Sequence, residues 1–240
     1  MQAIILAAGM GNRLGELTID RPKGMVCINE HELIRYVLSY MEHPDIDDIT
    51  VVTGFERDII EDFIKENYPD VNLVCNMDYE AGNIMSLAAA MPHITDDFLL
   101  MNADHIYPLK MLRHILKNMN GITAICDFDR ELSDDDMKVK LNDEGALLRI
   151  DKKLQDYDCG YIGMTMCTRD HLNIYREAFD SVLRDIGDNA CVENILGWLG
   201  DHSTEVNICD ASGMPWLEVD TPEDLEHAER TLRENMDFLS

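Results

Sequence analysis

Apolar positions follow two alternating rhythms along the first half of the chain. Residues 3–8, 49–53, 72–75 and 97–101 are short, β-branched or continuously apolar runs bounded by polar residues, the pattern of buried strands. Between them, residues 32–42, 56–67 and 82–91 place apolar side chains at three- and four-residue spacing, which predicts helices with one buried stripe. Strand and helix in strict alternation imply right-handed parallel crossovers and a sheet covered on both faces. The predicted fold class is α/β, a doubly wound, mixed and mostly parallel sheet.

The rhythm changes after residue 104. A helix is predicted from about residue 108 to 118 and a strand at 122–127, followed by the acidic connector Ser133-Asp134-Asp135-Asp136. Residues 137–141 and 146–151 form a predicted hairpin around Asn142-Asp143-Glu144-Gly145. Strands at 161–166 and 205–209 and helices near 169–185 and 190–200 follow. The last helix opens on Thr221-Pro222-Glu223-Asp224, a capping hydroxyl, a first-turn proline and acids on the positive helix end. No repeat or linker interrupts the sequence, so residues 1–240 read as one domain with halves 1–107 and 108–240 and a small β-hairpin lobe in the second.

Composition narrows the function. Apolar residues at 46% and charged residues at 28% are ordinary for a globular protein. Asp and Glu number 47 against 20 Lys and Arg, a formal net charge of −27, so no nucleic-acid partner is expected. An anionic ligand then has to be met by local exceptions: a few placed cations, backbone N–H groups, or a divalent cation held by carboxylates. The seven cysteines form no C-x-x-C pair and read as free thiols of a reducing compartment. With no run of about 18 apolar residues and no basic leader, no membrane span or secretion is expected, and a cytoplasmic location is.

The first exception is Leu6-Ala7-Ala8-Gly9-Met10-Gly11-Asn12-Arg13, directly after the first predicted strand. Two glycines there let backbone N–H groups approach phosphate oxygens, and Arg13 adds a forked cation. The spacing is neither the dinucleotide fingerprint nor the P-loop, and alone it reads more readily as a tight turn. Ten residues on, Arg21-Pro22-Lys23-Gly24 forms a rigid basic point, whose plain alternative is a solvated surface loop. Together the two segments resemble the nucleotidyltransferase family of sugar-nucleotide and MobA-like fold, whose signature is this glycine-rich loop with a downstream Pro-Lys.

That resemblance implies a Rossmann-like fold with a nucleotide-binding half at 1–107 and an acceptor-binding half at 108–240. It assigns Lys23 and Arg13 to catalysis and Leu6, Ala7, Ala8, Gly9 and Gly11 to the nucleotide. Asn102-Ala103-Asp104-His105 resembles the family's acidic metal-binding turn, and Trp216-Leu217-Glu218-Val219-Asp220 its second acidic station. Hard carboxylate oxygens opposite a phosphate cradle suit Mg²⁺, so Asp104, Asp220 and Glu218 are the predicted metal ligands. His105 reads as a packing or hydrogen-bonding residue.

Asn83-Ile84-Met85-Ser86-Leu87 is similar to a segment of the CTP-using branch, which acts on phosphocholine, inositol-1-phosphate and phosphonates. Asn83 and Ser86 are expected either to contact the base or simply to start a helix. Half of the chain's eight lysines fall between 138 and 153. Lys138, Lys140, Lys152 and Lys153 are therefore expected to receive an anionic acceptor, or else to guard an edge strand. Asp158 reads as a ligand for an acceptor hydroxyl or amine, or as a turn residue. Gly160 stands where many amine-handling relatives carry an acid, which points to a neutral or anionic acceptor, and two tryptophans give poor support for a choline cage.

The expectation is a Mg²⁺-dependent cytidylyltransferase whose partners are CTP and a small phosphoalcohol or phosphonate, with a homodimer by fold analogy. A sugar-1-phosphate nucleotidylyltransferase using another nucleotide, and a nucleotide-binding module without turnover, are the alternatives.

Overall fold

Strand β1 (Gln2–Leu6) is buried along its whole length and lies inside a nine-stranded sheet in a computed structural model that describes residues 1–240. The elements α1 (Leu33–Tyr40), β2 (Asp48–Thr53), α2 (Arg57–Asn67), β3 (Asn72–Cys75), α3 (Ile84–Ala90) and β4 (Phe98–Asn102) follow it. β1 pairs in parallel with both β2 and β4, and β2 with β3. Side chains of β1 alternate between two cores. Ile4 and Leu6 join one cluster with α3, while Ala3 and Ile5 join another with α1 and α2. Burial on both faces is the reason this strand carries no polar alternation.

The second half contains α4 (Leu109–Lys117), β5 (Ile122–Asp127), β6 (Lys138–Leu141), β7 (Leu147–Asp151), β8 (Cys159–Cys167), α5 (Leu172–Asp185), α6 (Glu193–Asp201), β9 (Val206–Asp210) and α7 (Pro222–Glu234). The sheet runs β7-β6-β8-β4-β1-β2-β3, and β5 and β9 branch from β8. β8 is antiparallel to β4, β5 and β6, whereas β9 is parallel to β5. The sheet is thus mixed, parallel in its first half and antiparallel around β8.

Most predicted elements lie within a few residues of the observed ones, and the differences have local causes. β1 ends at Leu6 rather than at residue 8, because Ala7 to Gly11 leave the sheet as a loop. The helix expected from residue 190 begins at Glu193. Residues 187–192 instead lock onto the start of α3: Gly82 N donates to Asp188 O at 2.8 Å, and Val192 N donates to Asn83 Oδ1 at 2.9 Å. Thr221 and Asp224 form a reciprocal capping box at the start of α7. All seven cysteines are free, and no helix is long and apolar enough to cross a membrane.

Candidate active site

The strand order reverses between β1 and β4, and ligands of open α/β sheets bind at the carboxyl ends of strands at such a point. Four chain segments meet there. Gly11 sits at a φ of 67°, and a Cβ on it would lie 3.0 Å from the Lys23 Cβ, so glycine permits both the turn and the close packing of Lys23. Extended Pro22 precedes one tight helical turn at Lys23–Met25, which fixes the lysine. Just beyond β4 comes Asp104, and the short ribbon pairing His105–Ile106 with Leu217–Glu218 carries Glu218 and Asp220 to the same place.

Lys23 Nζ donates to Asp104 Oδ2 at 2.8 Å and also to Asp220. Burial disfavours the ammonium, but Asp104 and Asp220 outweigh it and raise the Lys23 pKa. Burial likewise opposes ionisation of Asp104, yet Lys23 and then His105 hold that carboxyl far below the ordinary range. Arg13 bridges Asp220, at 2.5 Å, to Asp135. His105 Nδ1 is 2.5 Å from Asp104 Oδ1 and its Nε2 is 3.9 Å from Glu218 Oε1. The ring stacks on Tyr107 and Trp216, each with centroids 5.5 Å apart. Burial pushes Glu218 up to about 7, with His105 opposing and Asp104 and Asp220 adding to the rise.

This donor set fits a divalent cation. Asp104 and Asp220 turn carboxylate oxygens onto one point where the Lys23 ammonium already gathers them, and Glu218 lies within reach of Asp104 and His105, their ligand atoms lying within 4.8 Å of one another. Hard oxygens are the ligands Mg²⁺ prefers, and His105 Nδ1 is already engaged with Asp104.

Two cavities adjoin the cluster. One of about 150 Å³ is lined by Leu6, Ala7, Ala8, Gly9, Lys23, Gly24, Asn83, Ser86, Asn102, Ala103 and Asp104. The other, of about 240 Å³, is lined by Arg13, Asp135, Lys152, Tyr161, Glu193, Trp216, Glu218 and Asp220 among others, and shares Asn83, Asn102 and Asp104 with the first. Gly11 lines neither cavity and packs against Lys23. Ser86 faces the smaller cavity, with its Oγ accepting from Asn76 Nδ2 at 3.0 Å. Asn83 lines both cavities while its Oδ1 holds Val192 N, so its carbonyl oxygen is committed to joining two loops.

The four lysines do not converge on one cavity. Only Lys152 of the four lines the larger cavity, and its Nζ donates to Asp135 at 2.5 Å. Lys138 is buried, and its Nζ is tied to the carbonyls of Ser133 at 2.7 Å and Lys152 at 2.9 Å. Lys140 pairs with Asp156 and Asp158, and Lys153 is exposed outside the cavity. Asp158 Oδ2 accepts from Leu141 N at 2.8 Å and is not among the cavity-lining residues. Lys138, Lys140 and Lys152 have each met an acid or a carbonyl of a neighbouring segment, and spacing along one strand does not reveal those partners.

Glu193 was not anticipated. It is 7% exposed and lines the larger cavity. A signal existed: Glu193 lies three residues before Leu196 on the buried stripe of its helix, where an acid is out of place. An acid in a first helical turn reads as dipole compensation, which concealed it.

Lys23 is thus a largely enclosed cation clasped by two acids beneath a glycine turn. The chain belongs to the family of the MobA-like NTP transferase domain, which matches residues 3–134. It is 30% identical, over 95% of its length, to the bifunctional IPC transferase and DIPP synthase of Rubrobacter xylanophilus, of which it covers 51%. The chain spans about half the length of that protein and of its counterparts in other organisms. Among solved structures, the inositol-1-phosphate CTP transferase from T. maritima aligns over 97% of this chain and 96% of its own, with a TM-score of 0.79 and 22% identity. The CTP:phosphocholine cytidylyltransferase from Streptococcus pneumoniae aligns over 96% and 98%, with a TM-score of 0.80 and 23% identity. These likenesses confirm the fold.

Proposed function

We propose that this chain is a Mg²⁺-dependent cytidylyltransferase that moves CMP from CTP to a phosphate or phosphonate oxygen of a small acceptor and releases pyrophosphate. The observation that carries the reading is the position of Lys23, Asp104 and Asp220 where the two cavities share walls. The smaller cavity suits a nucleoside and the larger an acceptor, and a phosphate spanning them comes against Lys23 Nζ. The activities named for the two solved structures support CTP as donor and a phosphoalcohol as acceptor class.

In this reading the acceptor oxygen attacks the α-phosphorus of CTP, the opposite bond to the bridging oxygen breaks, and pyrophosphate leaves with that electron pair. The attacking oxygen is already ionised near neutral pH, so the protein has to align and neutralise rather than remove a proton. Backbone N–H groups of Gly9 to Gly11 and the Arg13 guanidinium hold the outer phosphates, and Lys23 turns from its acids towards the α-phosphate. Asp104 and Asp220, with Glu218 beside them, would hold Mg²⁺. The metal, when bound, supplies charge neutralisation and orientation of the triphosphate. We assign nucleotide binding to residues 1–107 and acceptor binding to 108–240, in a cytoplasmic protein, as a homodimer by fold analogy.

A thermal-shift panel of CTP, UTP, GTP and dTTP with Mg²⁺, paired with pyrophosphate release from CTP across phosphoalcohols and phosphonates, tests the reading. CTP is expected to stabilise most and to release pyrophosphate only with acceptor. Selective stabilisation by another nucleotide, with turnover on a sugar 1-phosphate, would replace it.

A further inference from the structure

His105 is buried and reaches both acidic stations. Its Nδ1 lies 2.5 Å from Asp104 Oδ1, and its Nε2 lies 3.9 Å from Oε1 of Glu218, the residue paired with it in the short ribbon. An ionised carboxylate only accepts hydrogen bonds, so Nδ1 is the donor. Asp104 Oδ2 is meanwhile held by Lys23 at 2.8 Å. The two oxygens of Asp104 therefore have different keepers, a mobile ammonium on Oδ2 and an imidazole N–H on Oδ1.

The imidazole is fixed more firmly than a packing residue needs. Tyr107 and Trp216 both lie nearly parallel to it, at interplanar angles of 10° and 25°. Each of these neighbours is itself tied down. The Tyr107 hydroxyl donates to Ile162 O, and Trp216 Nε1 donates to Asp127 Oδ2 at 3.0 Å, with the Arg130 guanidinium 3.9 Å from its ring centroid. β8 also makes room for the ring. Its pairing with β5 shifts register between Tyr161 and Thr165, and within that stretch Gly163 takes a φ of 81°. A Cβ on Gly163 would lie 3.0 Å from His105 Cε1 and 3.1 Å from Nε2, so the irregular strand and its glycine together admit the imidazole. These contacts keep Nδ1 turned to Asp104.

We infer that His105 is a positioning residue that confines Asp104 to coordination through one oxygen, and that it thereby sets a preference of the site for Mg²⁺ over Ca²⁺. This rests on the transferase reading above for the presence of a metal at Asp104 and Asp220. When Lys23 turns to the nucleotide it releases Oδ2, but nothing in that movement frees Oδ1. Ca²⁺ takes roughly six to eight oxygens and readily uses both oxygens of one carboxylate. Mg²⁺ takes about six at shorter range, and one oxygen from each carboxylate, completed by water and phosphate, serves it. A carboxylate with one oxygen committed elsewhere suits the smaller ion. The hydrogen bond acts through the orientation of the ligand, as outer partners of metal ligands do.

Displacement of protein-bound Mn²⁺ by Mg²⁺ and by Ca²⁺, followed by electron paramagnetic resonance, tests this with a non-reactive α,β-methylene CTP analogue held below the protein concentration. Both ions compete with the same Mn²⁺, so its own affinity cancels from the ratio of the two. His105→Phe keeps an aromatic ring beside Tyr107 and Trp216 but has no donor. It is expected to shift the ratio about tenfold towards Ca²⁺, the lower end of what an outer partner contributes to metal affinity. His105→Asn carries its Nδ2 where Nδ1 stands and is expected to retain the wild-type ratio. A residue that only packs would weaken both ions alike and leave the ratio where it was. An unchanged ratio in His105→Phe, or an equal shift in His105→Asn, overturns the inference and leaves the transferase reading standing. Absence of any protein-bound Mn²⁺ overturns the metal site, and the transferase reading with it.

Discussion

Lys23 Nζ lies 2.8 Å from Asp104 Oδ2 across 81 positions of sequence, and the same ammonium also holds Asp220. One cation therefore keeps two acids together that would otherwise repel. The three groups depend on one another for their ionisation, which in the proposed reaction ties turnover and metal affinity to a single side chain.

Removing the ammonium separates those two roles. Lys23→Ala is expected to lower kcat by about 10²-fold or more, as loss of one oxyanion-type contact does. Its Mg²⁺ affinity should stay level or rise, because the competing cation has gone. Pyrophosphate release at saturating CTP and a Mg²⁺ titration followed by intrinsic fluorescence check the two effects. A mutant with near-normal kcat would remove Lys23 from the mechanism.

Arg13 is more than half exposed and its pairs with Asp135 and Asp220 face solvent on one side. Such pairs contribute about 1 kcal/mol or less to folding. Arg13→Ala is therefore expected to leave the urea midpoint nearly unchanged while raising KM for CTP roughly tenfold through lost phosphate contact. A large fall in stability with unaltered KM would make Arg13 a structural clamp instead.

Glu218 gives a pH dependence of defined sign. Burial, opposed by His105 and aided by Asp104 and Asp220, pushes its carboxyl from 4.5 up to about 7. In that window the folded state retains a proton that the unfolded chain releases, so this residue's contribution to stability falls as pH rises through it. Below the window both states are protonated and the contribution is whole; above it the loss is complete. Glu218→Gln should flatten part of the decline of the denaturation midpoint across the window. Identical slopes for wild type and variant would show that Glu218 ionises at its ordinary pH.

The joint between the two ligand loops is also testable. Gly82 N donates to Asp188 O at 2.8 Å, and a Cβ on Gly82 would strike the backbone of Asn189 and Ala190. Gly82→Ala is expected to destabilise the fold by about 3 kcal/mol, the range for overpacking against atoms that cannot rotate away. Urea unfolding measures the loss. An unchanged midpoint would mean that residues 187–192 yield freely.

Much of the architecture was legible because it depends on local pattern. The unbroken apolar run of β1 announces a strand buried on both faces, and Thr221 with Asp224 announces the start of α7. The place of β8 was not legible. Its residues show that it is a buried strand, but that it runs antiparallel between β4 and the strands β5 and β6 follows from connections that no local period encodes.

The site divides in the same way. Gly9, Gly11, Lys23, Asp104 and Asp220 stand out in the sequence through the family resemblance that their segments carry, and the fold brings Lys23 against both acids over its packed glycine. The fate of Lys138 and Lys140, the stacking of His105 on Trp216, and the buried state of Glu193 were decided only by tertiary structure. Sequence determines which groups a segment offers and towards which face. Whether a charge meets a counter-charge, a carbonyl or an open cavity depends on the neighbour that another segment supplies, and desolvation then fixes what that charge can do.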